Sequence, residues 1–408
     1  MTDTTTVTGA APSFPPKRGN CPYHLPDGYT ELVEQGPLAE AELLDGRKAW
    51  IVTGYDEARA LMAHPGISAD RGNPDFPHNA KLMPGTGMPQ PVPEGESKTF
   101  NLMDDPEHNA LRRLVISAFT VKRTRELRPR LQRIADGLVD GILEKGPATD
   151  LLHSYAIPFA SMMLAELFDV AEEDREAYVH HLQGLGSDPE MLFPAIYHLG
   201  GYYAGQLARR RAEPGTDLVS TVLAKAAERS DEITDQQLVN AVMLVTGSGN
   251  ESTLSMIASG LFVLLAHPEQ ADAVRKDPEA HPGAVDELLR YLSVGDVLSR
   301  LAVEDIEIGG RSVKAGDAVV MATQAINRDA SVFSDPHTLD LTREGRSHLA
   351  FGHGPHQCVA MNFANVALDV AYFTILSRIP TLRLAIPAEE VRAGGLGVPH
   401  VAEVPVTW

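Results

Sequence analysis

The sequence predicts a mostly α-helical protein that carries small β-sheets. Three observations support this. Apolar residues recur at helical spacing in segment after segment, one segment is long enough to cross a whole domain, and turn-punctuated strand pairs are few.

In chain order, Pro37 to Leu44 and Lys48 to Thr53 flank Asp45-Gly46, a hairpin signal because Gly tolerates the positive φ such turns need. Helices are predicted over Asp56–Ala63, Glu107–Phe119, Arg123–Glu144, Leu151–Phe168, Glu173–Gly184, Met191–Arg211 and Asp217–Ala227. Thr234-Asp-Gln-Gln237 reads as a capping box, in which the Thr and Gln side chains satisfy each other's backbone N–H groups. It opens a helix that runs to Ala266, before His267-Pro268. At ~1.5 Å per residue this helix spans roughly 50 Å, and its largely apolar faces predict burial. Helices over Gln270–Lys276 and Gly283–Leu292 follow, then a strand region, Arg300–Val320, turning at Gly309-Gly310. Gly72–Ser97 has no periodicity, and a loop of that length is usually functional, so it is a candidate substrate lid.

Across 408 residues there is no composition shift and no internal repeat. Residues 1–20 read as a flexible tail and 21–408 as a single catalytic domain. The tail lacks an apolar h-region, and no apolar run reaches the roughly 18 residues that span a bilayer. Two cysteines suit a reducing cytoplasm, and a net charge of −20 argues against nucleic acid or an anionic membrane as partner.

The most informative stretch is Phe351-Gly352-His353-Gly354-Pro355-His356-Gln357-Cys358. Its glycines predict a tight turn, which places Cys358 near the N-terminus of the apolar segment that follows. Helix-end amides favour a thiolate there, and a thiolate is a metal ligand or a nucleophile. The residues leave several readings open. Cys358 could be a small buried hydrophobe. It could join His348, His353 and His356, with Cys21 and His24 as a second pair, in a zinc site. It could also bind haem iron axially. A second rule-breaking stretch, Thr246-Gly247-Ser248-Gly249-Asn250-Glu251-Ser252-Thr253, interrupts the long apolar helix with glycines, hydroxyls and an acid. Its plainest explanation is a kink whose hydroxyls bond back to the preceding turn.

Together the two stretches resemble the cytochromes P450. The cysteine run matches the family's haem-binding loop, and the helix interior matches its acid–alcohol motif. The resemblance implies a P450 fold with the triangular haem-thiolate architecture, and haem b bound through Cys358 with Phe351 against it. It further implies that Gly249 makes room for oxygen and substrate, and that Glu251 and Ser252, where the alcohol is usually Thr, form the proton relay. Glu287 and Arg290, on one helix face, match the Glu-x-x-Arg structural ion pair. The third member is Thr338 where the family has Arg, so it is absent or supplied from elsewhere, with Arg343 a candidate. His108, Arg112, Arg300 and His356 match the haem-propionate set.

Two departures are Ala360 in place of Gly and Asn365 in place of a surface Arg. The implied activity is monooxygenation, a C–H or C=C bond of a hydrophobic secondary metabolite receiving one oxygen atom of molecular oxygen. Electrons would come from NAD(P)H through ferredoxin reductase and ferredoxin, which would meet Arg112, Arg113, Lys122, Arg123 and Arg125. Substrate would contact residues 72–97, 184–197, 243–248, 294–298 and 394–398. The alternative is a P450-fold protein with a peroxide-driven, reductive or sensor role.

Overall fold

The computed structural model describes residues 12–17, 19, 23–77, 98–185, 189–229, 233–277, 281–343, 347–394, 398 and 400–408. Most of the tail, most of the Gly72–Ser97 loop and Cys21 lie outside these. Among the described residues no helix is long and apolar enough to cross a membrane.

One six-stranded sheet comprises β1 (Ser13–Phe14), β2 (Leu38–Leu43), β3 (Lys48–Val52), β4 (Ile67–Ser68), β5 (Val297–Ala302) and β6 (Ala318–Ala322), in the order β1-β2-β3-β6-β5-β4. The hairpin expected at Asp45-Gly46 is the antiparallel β2–β3 pair, with Gly46 at φ 87°. The predicted strand region Arg300–Val320 divides. Its ends are β5 and β6, paired antiparallel, and between them Ile306–Ile308 and Arg311–Val313 form a small hairpin. Gly309 and Gly310 both take positive φ there, the conformation the turn demands.

The helices that concern the site are α1 (Glu107–Ile116), α2 (Val121–Lys145), α3 (Ile157–Leu167), α4 (Arg175–Gly184), α5 (Pro189–Ala212), α6 (Asp235–Ala266), α7 (Ala284–Leu292) and α8 (Met361–Arg378), with others at Gly28–Glu34, Tyr55–Ala63, Leu218–Ala227, Pro268–Lys276 and Thr323–Ile326. The predicted 151–168 helix opens with a π turn at Leu152–Ala156, and the predicted 107–119 helix ends in a 3-10 turn at Ser117–Phe119.

Helix α6 is capped as the sequence reads. Thr234 Oγ1 accepts from Gln237 N at 3.2 Å, and Gln237 Oε1 accepts from Thr234 N at 2.9 Å. The helix continues through its glycines. Ser248 and Ser252 each donate to the carbonyl four residues back, at 2.5 and 2.6 Å, so the hydroxyls do bond back to the preceding turn.

The main apolar core surrounds α6, which α3, α5 and α8 pack against. The closest approach is at Gly260, where an added Cβ would lie 2.2 Å from the hydroxyl of Tyr372 on α8. That hydroxyl is buried and donates to Met256 O at 2.5 Å, so it has nowhere cheap to go. Gly260→Ala should therefore destabilise the chain by about 1–3 kcal/mol, as overpacking does. Denaturant unfolding at equilibrium checks this, and a change within experimental error would show that α8 yields freely.

Candidate active site

The cysteine loop is held from several sides. Gly352 and Gly354 take φ of +69° and +71°. A Cβ on Gly354 would sit 2.6 Å from the Met62 carbonyl oxygen, at the end of the helix Tyr55–Ala63, so only glycine fits. Cys358 N donates to Phe351 O at 2.9 Å, which closes the loop three residues before α8 begins. Upstream, Leu349 N donates to Asn327 Oδ1 at 2.7 Å, and Arg112 of α1 donates to Gln357 O at 2.5 Å.

Cys358 opens on a cavity of about 440 Å³. Helix α6 lines the same cavity through Leu244, Val245, Ser248, Gly249, Ser252 and Thr253. The two rule-breaking stretches of the sequence thus border a single space. Burial pushes the Cys358 thiol above its ordinary range, opposed by the Ala360 N–H and by Arg112. This corrects the expectation from the helix end, since the protein alone does not favour the thiolate. A bound cation would be needed to draw the proton off.

His108, Arg112, Arg300 and His356 all line this cavity. The His108 and His356 rings lie 4.1 Å apart, and His108 Nδ1 is 3.1 Å from Asp105 Oδ1. His108 Nε2 is buried with no partner among the described residues. Burial, with the neighbouring cations, holds His356 down to about 3, and burial holds Arg300 down to about 10. An imidazole nitrogen and two arginines that have no carboxylate partner among the described residues line a partly apolar space together with a thiol. The set fits a haem, whose two carboxylates would take the donors and whose iron would take Cys358.

The histidines do not gather around Cys358 as a zinc site requires. His348 turns to Asp286, 3.4 Å away, and His356 stacks on His108.

Glu287 and Arg290 are both buried and form a bidentate pair at 2.7 and 2.8 Å. Arg290 also donates to the carbonyls of Asn327, Pro336 and Thr338. Arg343 supplies the third member, its Nε donating to Glu287 Oε2 at 3.0 Å. Asn365 points inward to Asp286 at 3.4 Å.

Comparison with known proteins agrees with this geometry. The chain is 40% identical, over the full length of both proteins, to a vitamin D3 dihydroxylase of Streptomyces griseolus. It belongs to the cytochrome P450 family. The model of that family, described as Cytochrome P450, matches residues 205–381 of this P450. Mycinamicin VIII C21 methyl hydroxylase of Micromonospora griseorubida is 34% identical, covering 96% of this chain and 99% of its own. The crystal structure of cytochrome P450 MoxA from Nonomuraea recticatena superposes with a TM-score of 0.88 at 37% identity, covering 97% of this chain and 98% of that one. The P450 fold and monooxygenase class are thereby established for this chain, and the family's cofactor is a haem iron.

Some expectations need correcting. Glu251 does not line the cavity; its Oε1 accepts from Val398 N at 2.7 Å. Burial raises its pKa, against Val398 and His400. Of residues 184–197, none of those described lines the cavity, and Phe193 and Tyr197 of α5 face outward and exposed. Residues 244, 245, 248, 294, 295, 297 and 298 do line it, as expected, whereas 243, 246, 247, 296, 394 and 398 do not, and 395–397 lie outside the described residues. In the basic patch, Arg123 bonds to Thr216 O and Thr221, and Arg112 faces the cavity, leaving Arg113, Lys122 and Arg125 exposed. Arg71 and Leu164 line the cavity with no sequence signal of their own.

Proposed function

We propose that this P450 binds haem b through Cys358 and inserts one oxygen atom of dioxygen into a C–H bond of a hydrophobic metabolite, with C=C epoxidation as the related outcome. Electrons would come from NAD(P)H through ferredoxin reductase and ferredoxin. The observation that carries this reading is that Cys358 and Ser248, Gly249 and Ser252 of α6 line one cavity. When bound, a thiolate-ligated haem supplies the oxygen activation, because electron release from sulfur favours O–O cleavage.

The chain's own residues do the rest. His108, Arg112, Arg300 and His356 would hold the carboxylates of a haem. Leu244, Val245, Val294 and Leu298 present apolar surface to substrate and exclude water. Burial raises the Glu251 carboxyl, which favours its protonated form, and it would release that proton toward Ser252 Oγ once its side chain leaves Val398 N. Ser252 now donates to Ser248 O, so its lone pairs are free to receive that proton. Hydroxylation also accords with the names of two relatives, a vitamin D3 dihydroxylase and a mycinamicin VIII C21 methyl hydroxylase. Exposed Arg113, Lys122 and Arg125, on α1 and α2, suit an acidic ferredoxin.

The test is the spectrum of the dithionite-reduced protein with and without carbon monoxide, followed by NAD(P)H-driven turnover with a reductase and ferredoxin. A strongly red-shifted Soret band and coupled product formation support the reading; absence of a haem spectrum would sink it. Glu251→Gln should lower coupled turnover by about 10²-fold, the scale of a lost proton-transfer group, with the carbon monoxide spectrum intact. Unchanged coupling would remove Glu251 from the relay.

A further inference from the structure

The positive charges around the cavity exceed what a haem needs. Arg112 and Arg300 are permanent cations, one for each haem carboxylate. His108 and His356 line the same cavity and add ring nitrogens as further donors. Arg71 is a third guanidinium on the same cavity, close enough to Arg300 to help depress it. No described residue gives Arg71 a hydrogen bond or an ion pair. Its one described contact is with the Phe76 ring, whose centroid lies 6.0 Å from Cζ. The nearby acids are engaged elsewhere. Asp70 takes the Lys98 ammonium and the Gly72 N–H, and Asp104 takes the Ser68 hydroxyl and the Ala69 N–H. Arg71 is an exposed residue that lines the cavity, and the protein around it still depresses it by desolvation.

We propose that Arg71 is a specificity-determining residue that binds a carboxylate of the substrate, so that the preferred substrate is an amphiphilic acid. The inference rests on the monooxygenase reading above and adds the substrate class. The planar guanidinium offers two parallel N–H donors that match a carboxylate. Phe76, Leu244, Val297 and Leu298 supply apolar surface for the rest of the molecule. The carboxylate is an anchor at one end, and oxidation falls on the apolar skeleton.

The test uses the haem-loaded full chain, titrated optically for the substrate-induced spin-state shift. The probes are acid and methyl ester pairs on three skeletons: dodecanoate, abietate and cholate. At least one acid should bind about tenfold or more tighter than its ester, the scale of a charge-assisted bidentate contact. In Arg71→Gln that preference should fall to near unity while the ester's Kd stays put, and Arg71→Lys should retain part of it. The proposal is overturned if no pair shows an acid preference in the unsubstituted protein, or if the preference survives in Arg71→Gln. It is also overturned if Arg71→Gln loses the reduced carbon monoxide band, since Arg71 would then belong to the haem-holding set. A protein with no haem spectrum at all would instead bring down the functional reading, and this inference with it.

Discussion

Cys358→Ser should abolish the red-shifted carbon monoxide spectrum and all NAD(P)H-driven turnover, in a chain that remains folded. The loop is closed by main-chain bonds, Cys358 N to Phe351 O and Gly352 N to Leu349 O, and these do not depend on the side chain. Serine matches cysteine closely in size, so packing against α8 is kept. What changes is the ligand. Burial alone disfavours the Cys358 thiolate, so its ionisation must be coupled to iron binding, and a serine hydroxyl with its far higher pKa cannot follow. Spectra of the reduced protein with carbon monoxide, beside circular dichroism, separate lost ligation from lost fold. Retention of the red-shifted band in the variant would mean that another residue binds the iron.

Arg290→Ala carries the largest stability effect expected in this chain, about 3–5 kcal/mol, the range for breaking one side of a buried pair. Glu287 would be left buried with only Arg343, which is partly exposed, for neutralisation. The carbonyls of Asn327, Pro336 and Thr338 would lose their donors in the same step. Asn327 in turn holds Leu349 N, so the damage passes to the cysteine loop. Haem retention should therefore fall along with the urea midpoint. Arg343→Ala should lose less, because Arg290 keeps its bidentate contact. A loss under about 1 kcal/mol for Arg290→Ala, small for a buried charge, would contradict the network described here.

Much of this was legible in the sequence wherever the cause is local. The capping box at Thr234, the turn at Gly309-Gly310 and the Glu287–Arg290 spacing all follow from neighbours a few residues apart, and each forms as read. What escaped, or was offered only as a candidate as Arg343 was, depends on distant chain segments meeting. Arg343 reaches Glu287 across 56 positions. Glu251 is turned by Val398, 147 positions away, and no local rule foresees that contact. Arg71 is an ordinary loop arginine until folding brings it to the cavity. The outward placing of Phe193 and Tyr197 inverted an expectation because a helix between two partners can present apolar residues to either side.

The loop around Cys358 is pinned by the Met62 carbonyl, by Asn327 and by Arg112, whereas α6 and a short strand line the cavity with a row of side chains. Innovation is therefore cheap in one part of the cavity lining and nearly forbidden in the other. An inserted residue between Gly352 and Cys358 would have to break several contacts at once, but an exchange at Leu244, Val245 or Leu298 alters only shape. Descendants of such a chain can drift to new substrates by single steps while the reactive centre stays constant, which is the condition for one scaffold to radiate into many chemistries.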